Sequence, residues 1–134
     1  MMKIFQWIGI VAFVCLHLLA PDNLLASDKE EKWPNGKTKK VYSLDAENKK
    51  NGAYQEFYEN GQIKIKSFYQ NNLLEGNCLE YLADGKIKQE TNYKKGQKNG
   101  TIKIYEKGLL KKTSICQNNE LIFTFPKSPA EIAQ

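Results

Sequence analysis

The chain has 134 residues, of which 41% are hydrophobic and 26% are charged, and its formal net charge is +5. This length allows one small domain, and the composition is that of a globular protein, which excludes a wholly disordered chain. All 20 basic residues are lysines. Because base recognition and bidentate phosphate binding favour the arginine fork, the composition argues against a nucleic-acid partner.

The first 26 residues have the pattern of a secretory signal peptide. Lys3 precedes an apolar run over residues 4–20, and cleavage is expected after Ala26. The alternative is an uncleaved N-terminal anchor, but the run is short for a membrane span and is interrupted by His17. We therefore expect an exported protein that is periplasmic or secreted.

Two short segments flank the expected domain. The charged run at residues 27–32 is expected to be a solvated linker, and residues 126–134 are expected to form a loose tail after Pro126. The domain itself is predicted over residues 33–125. Its first part, residues 33–51, is an incomplete leading repeat in which Trp33 either caps the stack or is exposed for binding.

Glycines recur at a fixed interval in the middle of the chain. The first set recurs every 24 residues, at Gly52, Gly76 and Gly100, and a second set follows at Gly61, Gly85 and Gly108. A period of this size is typical of repeat proteins, in which each unit buries its apolar face against its neighbours.

Each unit has the pattern of a β-hairpin. Asn60-Gly61 and Asp84-Gly85 are strong turn signals. After the first turn, polar and apolar residues alternate, which places Ile65 on one face and Lys64 and Lys66 on the other. We predict an all-β, elongated, single-layer antiparallel meander of repeated hairpins.

The register follows from the loop lengths. Three-residue loops in the first two units and a two-residue loop in the third place an aromatic residue opposite an aliphatic one in every unit. The predicted pairs are Phe57 with Ile63, Tyr81 with Ile87, and Tyr105 with Leu110. The same register places Glu56 opposite Lys64, Glu80 opposite Lys88, and Tyr54 opposite Lys66.

These residues resemble the MORN-repeat family, in the variant common in bacteria. The resemblance rests on the two sets of glycines together with Phe57, Tyr69, Tyr81, Tyr93 and Tyr105, and it covers residues 52–120. It implies an adaptor that contacts proteins or anionic lipids. Many bacterial members of this variant are labelled as antitoxins or immunity proteins of toxin pairs.

The sequence offers little for catalysis. The single histidine, His17, lies inside the expected signal peptide, which leaves no histidine for acid–base or metal chemistry in the mature chain. Glu56 and Glu80 are expected roughly 10 Å apart, two strands from each other, and each has a lysine opposite it. We expect no enzyme, no metal and no cofactor.

Two cysteines follow the expected signal peptide. Cys78 and Cys116 are expected three strands apart, at roughly 14 Å, whereas a disulfide needs Cα atoms within about 7 Å. We therefore expect no intramolecular disulfide, and a bridge between chains stays open.

The predicted binding surface consists of lysines and one aromatic residue. It contains Tyr54, Lys64, Lys66, Lys88 and Lys111 on one face of the sheet. We interpret it as a surface for an acidic protein partner; the alternative is a solvated face that discourages aggregation. The predicted function is protein–protein interaction. The alternatives are neutralisation of a secreted toxin and attachment to anionic lipid or cell-envelope polymer.

Overall fold

The computed structural model describes residues 27–125, and these residues form one open antiparallel sheet. Its strands are β1 (Ser27–Lys32), β2 (Thr38–Leu44), β3 (Lys50–Phe57), β4 (Ile63–Gln70), β5 (Leu73–Leu74), β6 (Gly76–Tyr81), β7 (Ile87–Lys94), β8 (Gln97–Glu106), β9 (Leu109–Gln117) and β10 (Glu120–Phe125). The strands lie side by side in chain order, except that the short β5 pairs only with β4.

This arrangement confirms the predicted all-β meander of hairpins. The part of the chain that the structure describes contains no helix that is long and apolar enough to cross a membrane. The expected signal peptide and the expected C-terminal tail lie outside the described residues.

The hairpin loops have the predicted lengths. In the first full unit, Tyr58 N–H donates to the carbonyl of Gln62 at 2.9 Å, which closes a three-residue loop that ends in Gly61 at φ 91°. Such a positive φ favours glycine because a side chain there meets the backbone. In the third unit, Glu106 pairs directly with Leu109, which leaves a two-residue loop.

The turns on one side of the sheet are joined to one another. The leading turn repeats the same loop, and the indole of Trp33 donates to the carbonyl of Phe57 at 3.2 Å. One unit later, the hydroxyl of Tyr58 donates to the carbonyl of Tyr81 at 2.8 Å. Trp33 therefore has the stacking role that we considered for it, since it fixes the leading turn to the next one.

The linker expected at residues 27–32 is instead the first strand. β1 pairs with β2 along its whole length, from Ser27 opposite Leu44 to Lys32 opposite Thr38. Its side chains are exposed, as a solvated segment requires, but they still find partners: the hydroxyl of Thr38 donates to Glu30 at 2.6 Å. The charged composition of residues 27–32 suggested a linker, because composition does not reveal that β2 offers an edge with which this segment can pair.

The predicted aromatic–aliphatic pairs are present in all three units, namely Phe57 with Ile63, Tyr81 with Ile87, and Tyr105 with Leu110. Immediately beyond each pair, however, the register shifts by one residue. In the first unit Glu56 pairs with Ile65, so that Lys64 is the extra residue of a β-bulge. Because of this shift, Ile65 and every second residue after it in the strand lie on the opposite face from Phe57 and Ile63, and Tyr54 lies opposite Ser67 instead of Lys66.

A second, wider irregularity explains the periodic glycines. Thr91 pairs with Ile102 and Tyr93 pairs with Lys98, so Asn92 alone faces three residues of β8, with Gly100 in their middle. Gly100 has a φ of 115°, and a Cβ built on it would lie 3.1 Å from the Cβ of Asn92. The 24-residue period therefore marks the place where each unit inserts two extra residues into its strand.

Burial distinguishes the two faces of the sheet. The buried residues lie on one face, which we call the inner face: Tyr54, Ser67, Cys78, Thr91, Ser114 and Cys116. They form a row across the sheet, since Tyr54 pairs with Ser67 and Cys78 pairs with Thr91. Apart from Tyr54 these side chains are small, and because the described residues form a single layer, we attribute their burial to larger side chains of the same face. The opposite face, with Phe57, Lys66 and Phe68, is called the outer face.

Candidate functional site

Three tyrosines and one lysine form a compact group on the inner face, which we call the tyrosine cluster. Tyr42 and Tyr54 stack with ring centroids 6.2 Å apart, and Tyr54 and Tyr69 are tilted at 5.4 Å. The ammonium of Lys50 lies 5.3, 5.2 and 5.2 Å from the three ring centroids in that order. Each distance is within the roughly 6 Å range of cation–π attraction, so this lysine is held by three rings at once.

The local fold positions Lys50 for this contact. Its N–H donates to the side-chain oxygen of Asn72 at 2.7 Å, and its carbonyl accepts the N–H of Asn72 at 2.9 Å. Lys50 also pairs with Leu44 across the wide irregularity, four residues from Tyr54 on the same strand and on the same face. The backbone hydrogen bonds therefore position the main chain of Lys50, and the three rings position its ammonium group.

Carboxylates accept the phenol hydroxyls of this cluster. Tyr54 donates to Glu56 at 3.1 Å, and Tyr42 donates to Glu31 at 3.3 Å. Burial raises the pKa of Tyr54 well above its ordinary range, and the charge and hydrogen bond of Glu56 raise it further. Tyr54 stays protonated and, at 8% exposure, it is not accessible to a partner.

The three bulge lysines pair with acids of their own chain. Lys64 donates to Glu56 at 2.8 Å, Lys88 lies 3.8 Å from Glu80, and Lys111 lies 3.5 Å from Glu106; these lysines occupy equivalent positions in successive units. The hydrogen bond to Glu56 raises the pKa of Lys64. The predicted contacts of Glu56 and Glu80 with lysines are therefore present, although the bulge places Ile65 and Gln89 in the paired positions.

The structure divides the predicted binding surface. Lys66 pairs with Gln55, while Tyr54 pairs with Ser67, so the predicted pairing of Tyr54 with Lys66 is wrong. The cause is the extra residue Lys64, which shifts the register between the loop and Tyr54 by one position. Lys64, Lys88 and Lys111 lie beside inner-face acids, whereas Lys66 lies on the outer face. The five residues therefore do not form one surface.

The outer face carries an exposed aromatic residue that the sequence analysis missed. Phe68 lies two residues from Lys66 on β4 and is 48% exposed. It pairs with Ala53 on one side, and on the other its carbonyl accepts the N–H of Glu75, next to Gly76. Ala53 and Gly76 have little or no side chain to place over the ring, and about half of Phe68 stays exposed. The sequence did contain a signal for this residue, because Phe68 is apolar at a position where the alternation along the strand places polar residues.

The two cysteines are both buried and free. They lie on β6 and β9, which are separated by β7 and β8. Burial raises the pKa of Cys78, and the nearby charge of Glu80 raises it further, so this thiol is held in its neutral form. Within residues 27–125, no group of three or more histidine, cysteine or acidic side chains could hold a metal ion.

A comparison with family models places two repeats within this sheet. The model described as MORN repeat variant matches residues 50–71 and 74–95. Searches of curated proteins and of solved structures returned no match. The first matched segment begins at β3 and the second begins in β5, just before β6; each contains one hairpin and ends at the turn to the next unit, which confirms the family resemblance. MORN repeats are generally modules for protein or membrane interaction and are generally non-enzymatic.

Proposed function

Because the chain is a MORN-repeat protein over residues 50–71 and 74–95, we propose that it holds a protein partner against the outer face of its sheet. The observation that carries this proposal is the exposed Phe68, which lies two residues from Lys66 on the same face of β4. The inner face is a poorer candidate because its tyrosines contact Lys50 and each other, and its bulge lysines face carboxylates.

The pair Phe68 and Lys66 favours a partner with an apolar group next to an acidic one. Both side chains come from the same strand at positions i and i+2, so they lie on one face about 7 Å apart along the strand. A half-exposed aromatic ring with small neighbours can be enclosed by a partner, and buried aromatic anchors dominate the energy of protein interfaces. Lys66 forms no ion pair with another described residue, so an acidic group on the bound protein would pair with its ammonium.

We also propose that the protein is exported, on the pattern of residues 1–26, and that its partner is in the cell envelope or outside the cell. A secreted toxin is one partner of this kind, in which case the protein would be its immunity protein. Attachment to anionic lipid is a separate possibility that the family allows, but the ion pairs of Lys64, Lys88 and Lys111 reduce the free positive charge available for it.

The test is capture of the partner by the full-length protein in its own cells, followed by identification after cross-linking. Phe68→Ala and Lys66→Glu change the outer face, and Lys88→Glu is the matched control because its exposed lysine lies beside an inner-face acid. We expect the two outer-face variants to weaken binding about tenfold or more, as loss of an interface anchor does, and the control to bind as the wild type does.

Two results would contradict the outer-face proposal: unchanged binding by Phe68→Ala, or equal loss with Lys88→Glu while circular dichroism reports an intact sheet. Vesicles of anionic lipid provide the second arm. Binding to them that weakens steeply with salt, in the absence of a protein partner, would favour lipid attachment instead. Protection of cells against one captured toxin would identify the immunity function.

A further inference from the structure

The two edges of the open sheet differ in chemistry. At one edge, β1 carries five charged residues among its six, and all of its side chains are exposed. At the other edge, β10 carries one charged residue, Glu120, followed by Leu121, Ile122, Phe123, Thr124 and Phe125. Charged side chains on an edge strand discourage the addition of another strand, whereas an apolar edge presents free backbone groups beside side chains that gain from burial.

The apolar edge continues onto β9. Phe125 pairs with Thr113, so β10 ends before it reaches the start of β9. The exposed large side chains of this region are Leu109 (74%), Leu121 (61%), Ile122 (58%), Phe123 (50%), Leu110 (48%) and Phe125 (46%). We call these six residues the apolar edge. Nothing within residues 27–125 covers it.

The exposed area of this edge approaches that of a stable interface. If a fully exposed side chain of this size contributes about 200 Å², the six exposed fractions leave about 700 Å² in water. This total is summed over both faces of the sheet, since Leu121 pairs with the inner-face Cys116 and Phe123 pairs with Ile115 on the other face. A standard interface buries about 800 Å² from each partner, and newly paired backbone would add to the apolar area.

We propose that β10 pairs antiparallel with β10 of a second copy of this chain, so that the two sheets join in a closed two-fold dimer. An identical copy supplies an uncharged strand with the same apolar side chains. Antiparallel pairing also places Glu120, at the start of β10 in one copy, beside the end of β10 in the other copy. The two carboxylates are then separated by about the length of the strand, roughly 17 Å at 3.4 Å per residue.

The alternative arrangements fit the residues less well. Parallel pairing of the two copies of β10 would bring the Glu120 carboxylates together. Pairing of β10 with β1 of the next copy would place apolar side chains next to a strand with five charges, and it would continue as an open fibre. Phe123 and Phe125 already contact each other edge-to-face at 5.0 Å, so their rings are ordered before any partner arrives.

The test is the molar mass of the protein expressed from the full sequence, measured by light scattering and by sedimentation over a range of concentrations. Phe123→Lys places a charge in the middle of the apolar edge. Leu73→Lys is the matched control, because Leu73 on β5 is exposed to nearly the same degree and lies away from β10. We expect a dimer for the wild type and the control, and a dissociation constant at least tenfold higher for Phe123→Lys.

A second measurement does not depend on a variant. Hydrogen exchange of the backbone amides of β10 in the wild type is expected to slow as the protein concentration rises, while exchange in β1 stays constant. A wild type that remains monomeric at all concentrations would overturn the proposal, as would a dimer that Phe123→Lys leaves unchanged. Species that grow beyond a dimer with concentration would also overturn it, since they indicate head-to-tail addition.

Discussion

Replacement of Gly100 by alanine tests the explanation of the repeat period. Its φ of 115° lies outside the conformations that alanine adopts readily, and holding a residue there costs about 1–3 kcal/mol. The new Cβ would lie 3.1 Å from the Cβ of Asn92, so that residue must move. Its side chain donates to the hydroxyl of Thr101 at 2.8 Å, and weakening this hydrogen bond adds about 0.5–1.5 kcal/mol.

One effect opposes this loss. Alanine restricts the unfolded chain more than glycine does, which stabilises the folded state by about 0.4–1 kcal/mol. We therefore expect Gly100→Ala to lower the free energy of unfolding by about 2 kcal/mol. In urea, this corresponds to a midpoint lower by about 1 M if the slope is near 2 kcal/mol per molar.

Gly76 is the matched control, because it occupies the equivalent position one unit earlier. Its φ is 75°, and a Cβ there would have no heavy atom within 4 Å. The left-handed conformation costs an alanine about 1–2 kcal/mol, which the restricted unfolded chain partly offsets. We expect Gly76→Ala to lose at least about 1 kcal/mol less than Gly100→Ala. Equal losses in the two variants would refute the role of Asn92.

Three further outcomes are expected. Burial raises the pKa values of Tyr54 and Tyr69 above the ordinary 10, so the stability that these neutral phenols provide below pH 10 is lost as the pH rises through their folded-state pKa values. We expect phenolate absorbance and the circular dichroism of the sheet to change together in a pH titration. Ionisation of these tyrosines at pH 10 while the sheet stays intact would contradict this. Lys50→Met removes the ammonium from three rings and is expected to lower the free energy of unfolding by about 1 kcal/mol, with Lys49→Met as a neutral control in the same urea titration. Thr91 is 2% exposed, and Thr91→Leu should cost about 1–3 kcal/mol by overpacking, so an unchanged midpoint would argue against a close-packed inner face.

The hairpins could be predicted because their signals are local. Asn60-Gly61 and Asp84-Gly85 determine loop geometry within a few residues, and loop length determines the first pair of the ladder, as Phe57 with Ile63 illustrates. The strand at residues 27–32 was not predictable in this way. Its stability as a strand comes from pairing with β2, which the composition of the segment does not reveal.

The predicted grouping of the five surface residues on one face was wrong for a related reason. Simple alternation assumes one residue per step, and the extra residue Lys64 breaks that assumption within the strand. The equivalent lysines Lys88 and Lys111 were predicted to line a free surface, but each contacts a glutamate of a neighbouring strand, which only the three-dimensional register determines. Lys50 was overlooked because it stands in the incomplete leading repeat, residues 33–51, although its side chain completes the tyrosine cluster.

The order of strands across the sheet has a mechanical consequence. Because the described strands follow chain order, the two ends of the domain lie at opposite edges of the sheet. A force that separates these ends would act first on the outermost pair of strands. The hydrogen bonds of that pair would then break one after another instead of all at once. Resistance to stretching would then be low and spread over many small steps, so the domain would extend under tension by peeling from its edges.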